Sequence, residues 1–562
     1  MKRKIVVNKT TELLTDANYV ASGGEAAIYR SASRILVYKL YHDATKATSI
    51  LNKIQELKQI QSPNVLVPVD VVYDAGSGEP VGYSMPYLDN TDPLCKFFTK
   101  AFKIAQKVTP DQIKDLVTHL QKTLPVIHQA NCLVVDLNEL NVLVEQNRIT
   151  THVIDTDSFQ TPSYPATAIM ASIQDVQATK FSQLTDWYSW GILAFQAYVN
   201  IHPFRGSHPD YSPTDWVQRM RDNVSVFDKK VKLPPVCNPL SVIPKNHLGW
   251  FEAVFQKGER SVPPLADAIA LPVPAAIQIV KSSGKFEVIP VQQYDSKIQY
   301  HLPHQGMNWV ATQTEIYKGK ATGIKINNKS RVRLVPTSDG ELVIVTVQGN
   351  SLTFRDSQGT VLGTTTSVGG RCFVKNGALY TTASGHLVET TFVRVGTRTV
   401  PRAVDIDNVS ELTAKLHEGI VVQDLLGEIY ITVPYAKDKS KTVKLPEVKG
   451  YRVLEARAEK NIVVLVVEKG GTYYRLVLTF SEAYTDHKYR LTSMAQYASI
   501  NFTVKPNGVT VLVSGLDEVE VFKGDKVAVF KNPPFDESMW LFNSNDNVYF
   551  VNDNQIYQVK IS

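Results

Sequence analysis

Two neighbouring stretches, VVDLNELNVLV at 134–144 and HVIDTDSF at 152–159, decide how the first half of the chain folds. Each combines β-branched residues, which favour strands, with acidic or amide side chains at the strand ends. Asp136 and Asn141 are five residues apart across a turn, and Asp155 follows the next apolar run. These side chains either cap turns between strands or form a site for a metal ion and a phosphate group.

The composition limits the class of protein. The chain has 562 residues, 43% hydrophobic and 20% charged, which is typical of globular proteins and long enough for several domains. Its formal net charge of +6 is too small an excess to favour nucleic acid as a partner. Four cysteines without C-x-x-C spacing predict neither a disulfide framework nor a zinc site. No apolar run approaches the ~20 residues of a membrane span, so we expect a cytoplasmic protein that does not bind membranes.

The first half of the chain alternates strand and helix patterns. YVASGGEAAIYRSASRILVYKLY at 19–41 predicts two strands, and TKATSILNKIQELKQI at 45–60 has apolar residues at helical spacing. TPDQIKDLVTHLQKTLPVIHQ at 109–129 opens with a helix-start signal. Its apolar residues fall on one predicted face: Ile113, Leu116, Val117, Leu120, Leu124 and Ile127. Strands first and helices later predict an α+β fold.

Several of these segments together resemble the protein kinase superfamily, over about residues 1–270. Asp136 and Asn141 match the family's H-R-D-x4-N motif, and Asp155 matches the first residue of D-F-G. DWYSWGILAFQAYVNIHPFRG at 186–206 resembles the family's D-x-W-S-x-G helix and its P-F segment, and Lys39 falls on the ATP-binding lysine. The resemblance implies a bilobal α+β kinase-like fold.

The resemblance also implies cofactors and site residues. ATP and Mg²⁺ are the expected cofactors, with Asp136, Lys39 and Asn141 as catalytic residues and Asn141 and Asp155 as metal ligands. Asp157 is a candidate further metal ligand. The residues implied to contact ATP are Gly23, Gly24, Ile28, Val37, Lys39, Met85, Pro86, Leu88 and Leu143.

Two ion pairs follow from the same resemblance. Glu56 is the only acid of the predicted helix that could form the family's ion pair with Lys39, although Lys53 takes the aligned position. Asp175 is expected to meet Arg260, in place of the family's late glutamate–arginine pair.

The implied activity is ATP- and Mg²⁺-dependent transfer of a phosphoryl group to protein Ser or Thr hydroxyls. Val134 and Val135 replace the His and Arg of the family motif, which predicts activity without phosphorylation of the following loop. Two alternatives stay open: a pseudokinase that acts as a nucleotide-binding scaffold, and a kinase for small molecules.

The second half has a different pattern, in which turn dipeptides separate short β-rich runs. Hairpin-type turns recur at roughly 40-residue intervals, the period of a four-stranded propeller blade; they lie at Asp339-Gly340, Asn376-Gly377, Glu418-Gly419, Lys460-Asn461 and Asn507-Gly508. We therefore expect an all-β domain, a propeller of six or seven blades or alternatively β-sandwich domains, that recruits a protein substrate or partner. The predicted boundaries are 1–270 for the kinase-like domain, 271–284 for a linker and 285–562 for the β-rich domain.

Overall fold

The structure is a computed structural model that describes residues 2–166, 169–266, 286–304, 307–319, 321–326, 331–337, 339–482, 484–544 and 546–561. The chain divides into two compact units, Met1–Gln278 and Ile279–Ser562. The predicted linker at 271–284 lies outside the described residues.

The first unit contains both strands and helices, as the sequence predicts. Its strands are β1 Lys2–Val7, β2 Thr10–Thr15, β3 Tyr19–Ser22, β4 Ala26–Arg30, β5 Leu36–Tyr41, β6 Val71–Asp74, β7 Pro80–Pro86, β8 Asp92–Pro93, β9 Val142–Val144 and β10 Thr151–Val153. Its helices are α1 Ala44–Leu57, α2 Lys100–Ala105, α3 Pro110–Gln129, α4 Gln183–Val199, α5 Trp216–Arg221 and α6 Lys245–Phe255.

A seven-stranded antiparallel sheet, in the order β2-β1-β6-β7-β5-β4-β3, forms the first part of this unit. The segment at 19–41 forms three strands where two are predicted, because the glycine pair at 23–24 turns the chain between β3 and β4. The hairpin of β1 and β2 is not anticipated by the sequence. One face of the sheet buries a hydrophobic core that includes Ile5, Tyr38 and Leu40.

Helix α3 confirms the prediction for its segment. The Thr109 hydroxyl caps the helix by accepting the Gln112 N–H, and the Gln112 side-chain oxygen accepts the Thr109 N–H. Pro110 occupies the first turn. This capping box satisfies N–H groups that the first turn leaves free. All six residues of the predicted apolar face are buried, so the helical period alone identifies the buried side.

In the part of the chain that the structure describes, none of the helices combines the length and the apolar character needed to span a bilayer.

The described residues of the second unit form strands, turns and short 3₁₀ helices, which confirms the predicted all-β class. Its described strands form seven antiparallel four-stranded sheets. In chain order, six of them are β12 Ile298–His304, β13 Met307–Thr312, β14 Glu315–Lys318 and β15 Ala321–Lys325; β16 Arg331–Pro336, β17 Leu342–Gln348, β18 Ser351–Arg355 and β19 Val361–Thr366; β20 Phe373–Lys375, β21 Ala378–Ala383, β22 His386–Val395 and β23 Arg398–Asn408; β24 Lys415–His417, β25 Ile420–Leu425, β26 Glu428–Ala436 and β27 Lys439–Lys444; β28 Arg452–Glu459, β29 Ile462–Lys469, β30 Thr472–Phe480 and β31 His487–Met494; β32 Phe502–Val504, β33 Thr510–Val513, β34 Glu518–Lys523 and β35 Lys526–Lys531.

The seventh sheet combines strands from both ends of the unit. It places β11 Phe286–Gln293 beside β38 Gln555–Ile561, followed by β37 Asn547–Asn552 and β36 Trp540–Ser544. Phe286 pairs with Ile561 in this register.

Each of the five predicted hairpins joins the first and second strands of one sheet. Asn376-Gly377, for example, links β20 to β21, and Asn507-Gly508 links β32 to β33. At Asn376 and Gly377 φ is 51° and 76°, the left-handed backbone that Asn and Gly tolerate best. The turn chemistry therefore marks the start of each of these sheets.

Hydrophobic clusters connect consecutive sheets of the second unit. One cluster contains Ile431 of β26 and Leu465 of β29, and another contains Val345 of β17 and Leu379 of β21. A further cluster joins Val310 of β13 to residues of β36–β38. The first of the six consecutive sheets therefore packs against the sheet that contains the last strand.

Candidate functional site

One face of the seven-stranded sheet carries several of the residues implied to contact ATP. Lys39 pairs across the strands with Tyr83, and Val37 pairs with Met85. Ile28 pairs with Lys39 on the other side. Cross-strand partners, and residues two apart along a strand, lie on the same face. The five side chains therefore share the face opposite the Tyr38 and Leu40 core.

The glycine pair lies in the turn between β3 and β4. The Gly23 N–H donates to the Ala26 carbonyl at 2.9 Å. A Cβ built on Gly23 or Gly24 would meet no atom within 4 Å, and neither residue has a positive φ. The fold of the described residues therefore does not itself require glycine at these positions, and the turn borders open space.

Of three further predicted residues, Pro86 and Leu88 follow Met85 along the chain, and Leu143 lies in the separate three-stranded sheet β10-β9-β8. Pro86 ends β7 and is exposed, and Leu88 follows it, half-buried. The Leu88 N–H has no acceptor among the described residues, whereas the Tyr87 N–H donates to Ile35 at 2.9 Å. Leu143 is half-buried in β9.

The hairpin of β9 and β10 brings Asn141 and Asp155 to one end. Val142, the first residue of β9, pairs with Val153, the last residue of β10. The Ile154 N–H then donates to the Asn141 carbonyl at 2.9 Å. Asp155 has a left-handed backbone, φ 63°. The two predicted metal ligands are therefore neighbours across this hairpin end.

Lys39 contacts two carboxylates in this region. Its Nζ lies 2.6 Å from Asp155 Oδ1 and 2.8 Å from Asp157 Oδ1. Burial alone would lower the pKa of Lys39, but the Asp157 and Asp155 carboxylates raise it above its ordinary value. The side chains of Lys39 and Asp157 are each 9% exposed, whereas that of Asp155 is 39% exposed. Asp155 is therefore the acid that reaches solvent.

Asp157 is surrounded by donors. Both of its oxygens accept from Lys39 Nζ at 2.8 Å. In addition, Oδ1 accepts the Tyr83 hydroxyl at 2.7 Å and Oδ2 accepts the Tyr41 hydroxyl at 2.5 Å. Burial would raise the pKa of Asp157, but Lys39 and the two hydroxyls hold it at about 2. Because four lone-pair positions are already occupied, Asp157 is the counter-ion of Lys39 in this structure, and its role as a further metal ligand stays a prediction.

Glu56 does not form the candidate ion pair. Its carboxylate accepts the Ser163 N–H at 3.2 Å, while Lys39 pairs with Asp155 and Asp157. Lys53, on the same helix, is buried and donates to the Asp157 backbone carbonyl at 2.6 Å. Helix α1 thus presents a cation towards this cluster, where the resemblance implies an acid.

Asp136 is half-buried and held by its own chain. Its Oδ1 accepts the Met170 N–H at 2.8 Å, and its Oδ2 accepts from Asn138 Nδ2 at 3.0 Å. Asn141 Nδ2 donates to the Asp136 carbonyl at 3.2 Å. Burial raises the pKa of Asp136, and the two donors to its carboxylate oppose this effect. The structure therefore links Asp136 and Asn141 directly, although residues 134–136 do not form the strand that their β-branched sequence favours.

The segment before Asp136 is anchored by Asp186, which is fully buried on α4. Asp186 accepts the N–H groups of Val134 and Val135, each at 2.9 Å, and lies 2.9 Å from His128 Nε2. Val135 has φ 60°, a strained conformation for a β-branched residue. The helix motif at 186–206 therefore fixes the backbone that carries Asp136.

The predicted Asp175–Arg260 pair is confirmed. The guanidinium donates to both carboxylate oxygens, at 2.6 and 2.7 Å, in the bidentate geometry that arginine favours. It also stacks over the Tyr188 ring, 4.6 Å from the centroid.

The described residues suit a magnesium ion that is held by few protein ligands. Among the described residues, no group of three or more His, Cys, Asp or Glu side chains is arranged to hold a metal ion. Within the same residues Asn141 Oδ1 and Asp155 Oδ2 make no hydrogen bond. Mg²⁺ is commonly held by one or two carboxylates together with water and substrate phosphates. These two hard oxygens suit such a site.

Sequence reasoning misses Tyr41, Tyr83 and the Met170 contact, and it places Lys53 on the helix without its contact to Asp157. Tyr41 is two residues from Lys39, so strand periodicity already places it on the same face. Tyr83 needs the β5–β7 register, which the sequence does not contain. No family model matches the chain, and none of the curated proteins matches its sequence. Function is therefore inferred from the residues themselves.

Proposed function

We propose that residues 1–270 form a bilobal protein-kinase-like domain that transfers the γ-phosphoryl group of ATP to protein Ser or Thr hydroxyls. The observation that supports this proposal is the ion pair between Lys39 and Asp155, whose charged atoms are 2.6 Å apart. Asp155 is a neighbour of Asn141, and Lys39 lies on a sheet face that also presents apolar side chains. A lysine, an acid and an amide at a hairpin end are the groups that phosphoryl transfer requires.

We assign one role to each side chain of the candidate site. Lys39 binds phosphate oxygens as a point charge, while Ile28, Val37, Met85 and Leu143 supply apolar surface for the base. Pro86 lacks an N–H and offers only its carbonyl to the base, and Leu88 offers an N–H. The open space beside Gly23 and Gly24 lets the turn approach phosphate closely.

Asn141 and Asp155 would hold Mg²⁺, which when bound neutralises phosphate charge. Asp136 orients the substrate hydroxyl and accepts its proton. The hydroxyl oxygen forms a bond to the γ-phosphorus as the bond from that phosphorus to the bridging oxygen breaks, and ADP leaves.

The test is phosphoryl transfer from γ-labelled ATP by wild type, Asp136→Asn and Asp155→Asn, with phosphosites read by mass spectrometry. Asp115→Asn, an exposed change on α3, is the matched control. We expect transfer by wild type and the control and loss in both site variants. Undiminished transfer in both site variants would contradict the proposal.

A second candidate, a nucleotide-binding scaffold, is favoured by one contact. The Met170 N–H occupies Asp136 Oδ1 at 2.8 Å, where the proposed base meets its substrate. A scaffold predicts that Mg-ATP raises the melting temperature of wild type while no phosphosite forms on it or on generic substrates.

We further propose that residues 286–561 form a seven-bladed β-propeller that recruits the substrate or partner protein. The support is the seven four-stranded sheets and the cluster that joins the first of them to β36–β38. Two β-sandwiches would not require that last contact. A truncation ending near residue 275 is expected to keep autophosphorylation and lose partner binding. A truncated protein that keeps both properties would contradict this division of roles.

A further inference from the structure

Asp157 lies at the centre of a group of side chains drawn from separate elements. Lys39 and Tyr41 come from β5, Tyr83 comes from β7 and Lys53 comes from α1. All contact Asp157, three through its carboxylate and Lys53 through its carbonyl. The short 3₁₀ turn Thr156–Ser158 is thereby tied to both the sheet and the helix.

The two acids near Lys39 differ in what remains free. Asp157 is buried and both oxygens are occupied, whereas Asp155 is 39% exposed and contacts Lys39 through Oδ1. A cation at Asp155 would compete with Lys39 for that carboxylate, because an ammonium group and a divalent ion are both attracted to it. Lys39 would still keep Asp157 and its fixed position.

We propose that Asp157, held by Tyr41 and Tyr83, is the positioning residue that aims Lys39 at the nucleotide phosphates, leaving Asp155 to the metal ion. This inference rests on the proposed function, because it assigns a role within the same site. In this proposal the counter-ion of Lys39 comes from the segment after β10, whereas the family resemblance implies an acid on helix α1. Helix α1 contributes Lys53 to the Asp157 carbonyl, so its only acid, Glu56, is not needed to orient Lys39.

A positioning role predicts a loss that depends on the phosphates of the ligand. The probes are adenosine, ADP and ATP, titrated calorimetrically into the full chain. Removing a hydrogen-bonded charge at a buried site weakens the interaction that it supports by about tenfold or more. We therefore expect Asp157→Asn to bind ADP at least about tenfold more weakly than wild type, close to Lys39→Met, with adenosine affinity unchanged.

Two further arms keep the test decisive. Tyr83→Phe and Tyr41→Phe each remove one hydroxyl but leave the carboxylate, and are expected to weaken ADP binding by about two- to fivefold, as for loss of one modest hydrogen bond. They test the inference even if Asp157→Asn does not fold. Asp157→Glu, which keeps the charge, is expected to recover part of the ADP affinity.

The outcomes separate this inference from the proposed function. Wild-type ADP affinity in Asp157→Asn and in both tyrosine variants, or a loss in Glu56→Gln with none in Asp157→Asn, would overturn the inference alone. Equal losses for adenosine and ADP would also overturn it, since they indicate general damage to the site. If the ADP-specific loss is found but wild type transfers no phosphoryl group, the inference holds and the transferase proposal fails.

Discussion

Replacing Asp186 by Asn tests how the segment that carries Asp136 is held in place. Asp186 accepts two backbone N–H groups, those of Val134 and Val135, and contacts His128. An amide has one acceptor oxygen, so at least one buried N–H loses its partner. A hydrogen bond to a charged group contributes about 1.5–3 kcal/mol, and an unsatisfied buried donor costs about 1–3 kcal/mol. We expect local destabilisation of about 3 kcal/mol.

Hydrogen–deuterium exchange is the appropriate measurement, because it reads the same N–H groups. A loss of about 3 kcal/mol corresponds to roughly 150-fold faster local opening. The strained φ of Val135 adds to this tendency, since the backbone relaxes once it is released. We expect peptides covering 131–138 to exchange faster by about this factor, and phosphoryl transfer to fall with them.

Asp115→Asn on the exposed side of α3 is the matched control, and peptides from β29 and β30 serve as an internal reference. Both are expected to exchange as in wild type. If the 131–138 peptides of Asp186→Asn also exchange at the wild-type rate, the anchoring role of Asp186 is wrong.

Two further predictions concern buried charges. Arg260→Met leaves Asp175, 3% exposed, without its partner and should destabilise the first unit by about 3–5 kcal/mol; urea unfolding followed by tryptophan fluorescence measures this, and a double variant with Asp175→Leu should be closer to wild type. Asp157 has a pKa of about 2 in the folded chain, below about 3.9 in the unfolded chain, so its stabilisation is present above pH 4 and is lost as the pH falls towards 2. At pH 3 wild type should have lost about 1 kcal/mol more than Asp157→Asn, and equal losses in urea titrations at pH 6 and pH 3 would contradict this assignment.

The predictable part of the fold is the part that local patterns encode. The buried face of α3 follows from its 3.6-residue period, and its start follows from Thr109 and Pro110. The β-hairpins follow from turn residues such as Asn376-Gly377, whose backbone needs a positive φ. The β1–β2 turn has the same left-handed backbone at Asn8 (φ 46°) and Lys9 (φ 63°), but Lys takes the place of Gly there, so its turn signal is weaker.

The sequence predicts which residues belong to the candidate site better than it predicts which of them form ion pairs and hydrogen bonds. Asp136, Asn141 and Asp155 can be selected because polar side chains interrupt apolar strands. The partner of Lys39 cannot be selected in this way, since it depends on which acid the β5–β7 register and the turn after β10 bring within reach. Lys53 and Glu56 are three residues apart on one helix, and only tertiary packing decides which of them faces the cluster.

The pairing of β11 with β38 has a consequence for biosynthesis. Lys560 and Glu287, which bridge these two strands, are 273 positions apart in sequence, and contacts of such separation form slowly. During translation, β11 leaves the ribosome long before β38, its only strand neighbour among the described residues, and stays unpaired until residues 555–561 have emerged. Until then β37 also presents an open strand edge, which can pair with other chains. Quality control of the nascent chain should therefore act mainly in the time between the emergence of β11 and that of β38. Nonsense mutations in the last few codons before residue 561 should be as damaging as much earlier ones.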